Sequence, residues 1–509
     1  MSLRPPASLL IVCCLAAPMA CARPAARAVA PGAAAEQSPG LGRPERVELT
    51  VKITPRPEPK DPRVDWEVRA TAAGLPSRFV VQKRWAGDEE VLAHLQLGRA
   101  ECDGRPTELT VEDLDSHMAW VPSAPCRQAV VRYTLRPPKT ELTWGYEFDV
   151  ALTPDLFTAI AESALLLPDV PDDTPAHVEV EVDVAAMPKG TEGLYSLGPG
   201  RHDTTMRALR HAYVAAGRFA TFRHAAGNLT LEARAPVSAS LDLASASRDL
   251  SRFLDAEARL FADEHPETLR LLWIGMPAGG GAHGTSLTGS AMVWRDDGVA
   301  WTSDDVRLVA HEMFHLYNGQ IIERSAGEGA DAETYWFSEG VTEFYTDELL
   351  RRAGVTTAHQ WLEALRDRLR RYHRHPDCET PNAKADMKWG GAAMQLPYLR
   401  GSLVAAYVDH LLKRRFAGAR SLDDVMRALL ARARGGAPPI EPDAVMSLLT
   451  RDLAPAEAGL VRSVLLDGRR LSVPTDTFGA CVEVVGPAND QDLRVRASVD
   501  LEACMRAGG

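Results

Sequence analysis

The stretch that most constrains this chain is His311-Glu312-Met313-Phe314-His315, set inside TSDDVRLVAHEMFHLYNGQ. Thr302 or Ser303 can cap a helix here, which places Asp304 and Asp305 at the positive end of its dipole. Val306, Leu308, Val309, Met313, Phe314 and Leu316 supply its apolar positions. On that helix His311 and His315 project from one face, close enough to bind a single ion. Glu312 lies beside them, where a carboxylate can take a proton from an attacking water. A tetrahedral catalytic zinc needs a third protein ligand and one open position. Glu339 is the natural third ligand, 24 positions after His315 in YWFSEGVTEFYTDELLRRAG, at the start of a second helix that ends near Gly354. Glu343 is one turn further on and can receive the N–H of a liganding histidine. Carboxylates set among Trp336, Phe337, Phe344 and Tyr345 need such a partner.

The rest of the chain gives the motif its setting. Residues 1–22 fit a signal peptide: one Arg precedes the apolar run Ala7–Ala20, which is short for a membrane span. Ala20-Cys21-Ala22 fits small-x-small cleavage. A lipid anchor on Cys21 is the other exit, although Pro18 stands where a lipobox usually has Leu. The expectation is an exported protein, periplasmic, secreted or lipid-anchored to the cell envelope, which meets a membrane only through such an anchor. Residues 23–42 form an Ala/Pro-rich linker expected to be disordered. Residues 43–230 alternate apolar and polar side chains in short runs such as RVELTVKIT, WEVRATA, AVVRYTLR, YEFDVAL and HVEVEVDVA, which predicts a β-sandwich-like domain. Residues 231–467 are mainly helical by pattern, and 468–509 form a short tail with strand-like pieces. The fold class expected is therefore α+β and multidomain.

The net charge of −12 has no basic run to offset it, which argues against a nucleic-acid partner. Beyond the N-terminal segment the cysteines are Cys102, Cys126, Cys378, Cys481 and Cys504. Nearest-neighbour pairing would join Cys102 to Cys126 and Cys481 to Cys504 and leave Cys378 alone, a connectivity that spacing cannot fix.

HEMFHLYN, WFSEGVTEFYTDELLRRAG and PYLRGSLVAAYVDHLLKRRFAGARSLDDVMRALL together resemble the glycyl-aminopeptidase family, the sixty-first family of metallopeptidases and a gluzincin. The resemblance implies a thermolysin-like zinc metallopeptidase domain after the β-rich one, acting on peptides or proteins. It implies one zinc per chain on His311, His315 and Glu339, with Glu312 as general base. Tyr398, in PYLRG, matches the family tyrosine that donates a hydrogen bond to the tetrahedral intermediate. Family members often carry Gly-Gly-x-Glu-His ahead of the zinc helix, and this chain has Gly279-Gly280-Gly281-Ala282-His283, with Ala282 at the glutamate's place. A missing carboxylate there removes a charge-assisted contact to a free N-terminus. Aminopeptidase action thus stands beside two rivals: a zinc endopeptidase or amide hydrolase indifferent to the N-terminus, and a non-catalytic zinc-bearing binding module.

GGGAHG formally matches a dinucleotide fingerprint, but the sequence after it reads as a strand where that fingerprint needs a helix. A Gly-rich edge approached by substrate backbone fits better, with Gly280, Gly281 and His283 as substrate-binding candidates. The basic run LRDRLRRYHRHPD reads as a solvated helix face.

Overall fold

The computed structural model describes residues 44–506 except 74, 76–77, 84–93, 115–116, 124, 323–333 and 385–391. The expected signal peptide and linker lie outside the described residues. The chain forms two compact units, which meet in sequence between Phe219 and Ala220.

The first unit is β-rich. A seven-stranded sheet is built around Val47–Arg56, Arg63–Thr71 and Gln128–Leu135, and two four-stranded sheets accompany it. Val47, Leu49, Val51 and Ile53 alternate inward along one strand, as Val64, Trp66, Val68 and Ala70 do along the next. Trp66 stacks on Tyr133 at 5.9 Å and meets Phe157 of a four-stranded sheet edge-on at 6.5 Å, which joins two layers through one core. One pairing departs from a simple antiparallel sandwich: Val47–Arg56 runs parallel to Pro175–Val182. The run YEFDVAL is a strand only at Ala151–Leu152. Before it, Gly145 takes a positive φ of 86° and donates its N–H to Glu147, so the chain turns instead of extending. Cys102 and Cys126 are bonded in this unit.

The second unit opens with a five-stranded sheet in the order Phe219–Ala226, Leu229–Pro236, Glu267–Met276, Ser290–Asp296, Ala282–Leu287. The three central strands are parallel, and Ala282–Leu287 closes one edge antiparallel to its neighbour. The amphipathic helix Leu243–Phe261 connects the second and third strands and buries Leu250, Phe253, Leu254, Leu260 and Phe261. Helices then dominate up to Leu466, among them Ser303–Phe314, Thr342–Arg352, Ala358–Arg374 and Leu396–Arg415. The tail adds Leu471, Val473, Phe478 and Val482 to the same core and carries the Cys481–Cys504 bridge. Cys378 is buried and free. Among the described residues no helix is long and apolar enough to cross a membrane.

Glu257, on the inner face of Leu243–Phe261, is fully buried, and neither carboxyl oxygen has a hydrogen-bond partner among the described residues. Burial pushes its pKa well above the usual carboxylate range. The folded protein therefore keeps a proton that the unfolded chain releases above about pH 4.3, and stability is lost as pH rises from there. Glu257→Met should raise stability at pH 7 by about 1–3 kcal/mol. That gain should shrink toward pH 4 in denaturant melts. An equal gain at both pH values would contradict a buried, titrating Glu257.

Candidate metal centre

The helix Ser303–Phe314 begins where Thr302 accepts from the Asp305 N–H and Asp305 returns the contact to the Thr302 backbone, a reciprocal cap. His315 keeps right-handed helical angles at its C-terminus, so the one-turn spacing to His311 survives. The chain then breaks sharply. Asn318 leaves helical angles and Gly319 adopts φ +137°, which a side chain would resist. Glu339 sits in a wide π-helical turn, Trp336–Val341, which leads into Thr342–Arg352.

Three donor atoms converge. The Nε2 atoms of His311 and His315 are 3.1 Å apart, and Glu339 Oε2 lies 3.2 Å from the first and 3.3 Å from the second. Ligands on a tetrahedral zinc with bonds of 2.0–2.1 Å stand about 3.3–3.4 Å from one another. The triangle formed here is that size. Its electrostatics also call for a cation. Burial opposes a charged His311, yet the nearby Glu339 and Glu343 carboxylates draw its pKa up to about 10. Burial would likewise raise the Glu339 carboxyl, but the two histidines hold it well below the usual range. The donor set fits zinc.

Both histidines are oriented from behind. His315 Nδ1 lies 3.0 Å from the Asn318 carbonyl oxygen. The Asn318 amide in turn donates to the Phe337 and Ser338 carbonyls and to the Thr342 hydroxyl, tying the first ligand segment to the second. On His311, Glu343 Oε1 stands 3.1 Å from Nδ1, off the straight N–H line.

Glu312 is buried beside the donor triangle, and burial raises its pKa against the pull of both histidines. It rests on the edge strand at Gly284, where an added Cβ would lie 2.6 Å from Glu312 Oε1. Gly284 therefore faces the Glu312 carboxylate, while His283, its neighbour on the strand, points to the opposite side. Gly279 and Gly280 donate their N–H groups to Asp296, so these glycines shape a turn ahead of the strand. Of the substrate-binding candidates, Gly280 is committed to that turn, Gly281 is one residue short of the strand, and His283 faces away from Glu312. Gln320 fixes the strand to the break after Ser303–Phe314 by accepting from the Gly289 N–H and donating to the Ser286 hydroxyl.

Tyr398 lies in the first turn of Leu396–Arg415, its ring parallel to that of His311 with centroids 6.1 Å apart. That approach depends on two glycines. A Cβ on Gly401 would stand 2.0 Å from the Trp336 carbonyl oxygen, and one on Gly340 would stand 2.4 Å from Gly401 Cα. The helix bearing Tyr398 and the turn bearing Glu339 thus cross in backbone contact.

Residues 304–391 match the family model for M61 glycyl aminopeptidases. The chain is a zinc metallopeptidase resembling that family. Two solved folds are similar to the peptidase over most of its length. An aminopeptidase N family protein from Idiomarina loihiensis is 16% identical with a TM-score of 0.66, covering 86% of this chain and 79% of that one. An M1 zinc metallopeptidase from Deinococcus radiodurans is 16% identical with a TM-score of 0.55, covering 86% and 97%. A variant of the Deinococcus protein was solved bound to a Tyr-Ser-Ala substrate, at 15% identity and a TM-score of 0.55 over 85% and 97%. No curated protein matches the chain.

Proposed function

We propose that this zinc peptidase hydrolyses peptide bonds with His311, His315 and Glu339 as the three protein ligands of one zinc and Glu312 as general base. The observation that carries the proposal is the triangle of three donor atoms beside a buried carboxylate. We read the helical region as thermolysin-like, on the strength of an antiparallel edge strand running beside the HExxH helix. When bound, zinc supplies the Lewis acidity that polarises the scissile carbonyl and acidifies the attacking water. Glu312 takes the proton of that water and passes it to the departing amine. The Tyr398 phenol donates to the oxygen that gains charge. The edge strand, bare at Gly284, lets substrate backbone lie close to Glu312. Tyr398→Phe should lower kcat/KM about 10²–10³-fold while zinc content, read by atomic emission, stays at the parent level. An unchanged rate would remove Tyr398 from the chemistry.

A second reading concerns the substrate's N-terminus. Ala282 lies directly across from Arg295, whose guanidinium is held by Asp305 at 3.1 Å and by the Val299 and Ala300 carbonyls. Ala282 itself offers no carboxylate here to receive an ammonium. This favours an endopeptidase or amide hydrolase over a strict aminopeptidase. Equal kcat/KM for a peptide and its N-acetylated form supports that reading. A preference for the free amine of about 100-fold, or roughly 2.7 kcal/mol, contradicts it. We also propose that the chain is exported, on the apolar run Ala7–Ala20 and the two cystine bridges.

A further inference from the structure

Behind His311 lies a group of charges that the chemistry above does not use. Arg307, one turn ahead of His311 on the same helix, reaches Glu343 with one guanidinium nitrogen and Asp347 Oδ1 with Nε at 2.6 Å. Arg368, from the helix Ala358–Arg374, reaches the same two carboxylates, at 2.8 Å to Glu343 Oε2 and 2.6 Å to Asp347 Oδ2. Glu343 and Asp347 are one turn apart on Thr342–Arg352. Two cations and two anions therefore alternate around a closed ring, and Arg368, Glu343 and Asp347 are each at least 94% buried. The ring is neutral as a whole, so each charge removed from water has its counter-charge in hydrogen-bond range.

The two carboxylates play different parts. Asp347 is used up within the ring. Both arginines converge on a single oxygen of Glu343, Oε2, and leave Oε1 facing the Nδ1 atom of His311 at 3.1 Å. Two guanidinium contacts from different helices fix the plane of this carboxylate and hence which oxygen faces the imidazole. We propose that Arg307 and Arg368 are positioning residues for the metal ligand His311, acting through Glu343 to set its zinc affinity. This inference rests on the zinc site proposed above.

The test is zinc affinity of the full chain by chelator competition, alongside the thermal midpoint of the metal-free protein. Glu343→Gln should weaken zinc about 10–100-fold and Arg368→Met about tenfold. In the Glu343→Gln background, Arg368→Met should add less than about twofold, because its route to His311 is already cut. Arg368→Lys and Arg307→Lys keep the charge but lose the planar fork, and each should weaken zinc about threefold with the fold intact. These lysine variants carry the test where the methionine variant fails to fold. Unchanged zinc affinity in both folded lysine variants, or equal effects of Arg368→Met with and without Glu343, would overturn the inference. A parent protein that binds no zinc would overturn the metal centre itself, a separate and distinguishable result.

Discussion

Glu312→Gln should leave zinc bound at the parent level and lower peptide hydrolysis about 10²–10⁴-fold. The substitution keeps size and shape, so the contact with Gly284 persists and the donor triangle of His311, His315 and Glu339 is untouched. What disappears is an atom that can accept a proton. Of the groups gathered here, Glu312 is the carboxylate not spent on the triangle or on the ion-pair ring behind it. Metal analysis and peptide kinetics on the same sample separate this outcome from loss of zinc. A variant that retains activity would transfer the base function elsewhere.

Gly401→Ala should be nearly as damaging although Gly401 touches no reacting group. The added methyl would overlap the Trp336 carbonyl, an atom of the turn that carries Glu339. The overlap is with backbone, so no side chain can swing aside, and separation of the two helical segments is the remaining relief. We expect a stability loss of about 2–3 kcal/mol. The same displacement carries Tyr398, three residues ahead of Gly401, away from His311 and moves Glu339 relative to both histidines. Zinc affinity and turnover should therefore fall together, in contrast with Glu312→Gln, where only turnover falls. A Gly401→Ala protein with parent melting temperature and parent zinc affinity would show that the crossing is not needed.

The contrast between these predictions matches what the sequence makes visible. His311, Glu312 and His315 are legible because helix periodicity is local, and the Thr302 cap and apolar stripe announce that helix. Glu339 and Glu343 follow by the same logic on the next helix, once a third ligand is required. Tyr398 has meaning only through its PYLRG context, since its meeting with His311 depends on a distant helix crossing. That crossing also explains why glycine follows in both motifs: Gly340 and Gly401 face each other. The Gly-rich edge was legible as a close approach, but strand register decides that Gly284, not His283, faces Glu312. The basic run around Arg368 illustrates the limit. By composition it is a solvated face, and Arg366 and Arg370 do lie outward on Leu493 and Asp492. Arg368 turns inward to Glu343 and Asp347, partners more than 20 residues away that no local pattern reveals. The parallel pairing of Val47–Arg56 with Pro175–Val182 is hidden for the same reason.

We propose that Glu312 drives peptide-bond hydrolysis at the His311–His315–Glu339 centre. The most direct test is mass-spectrometric mapping of cuts made in a mixed library of free and N-acetylated peptides. Zinc-loaded parent protein and its Glu312→Gln variant would be compared at equal zinc content. Peptide-bond cuts should appear in the parent sample and be missing from the variant. Equal cutting by both proteins, or no cutting by a zinc-loaded parent, would contradict it.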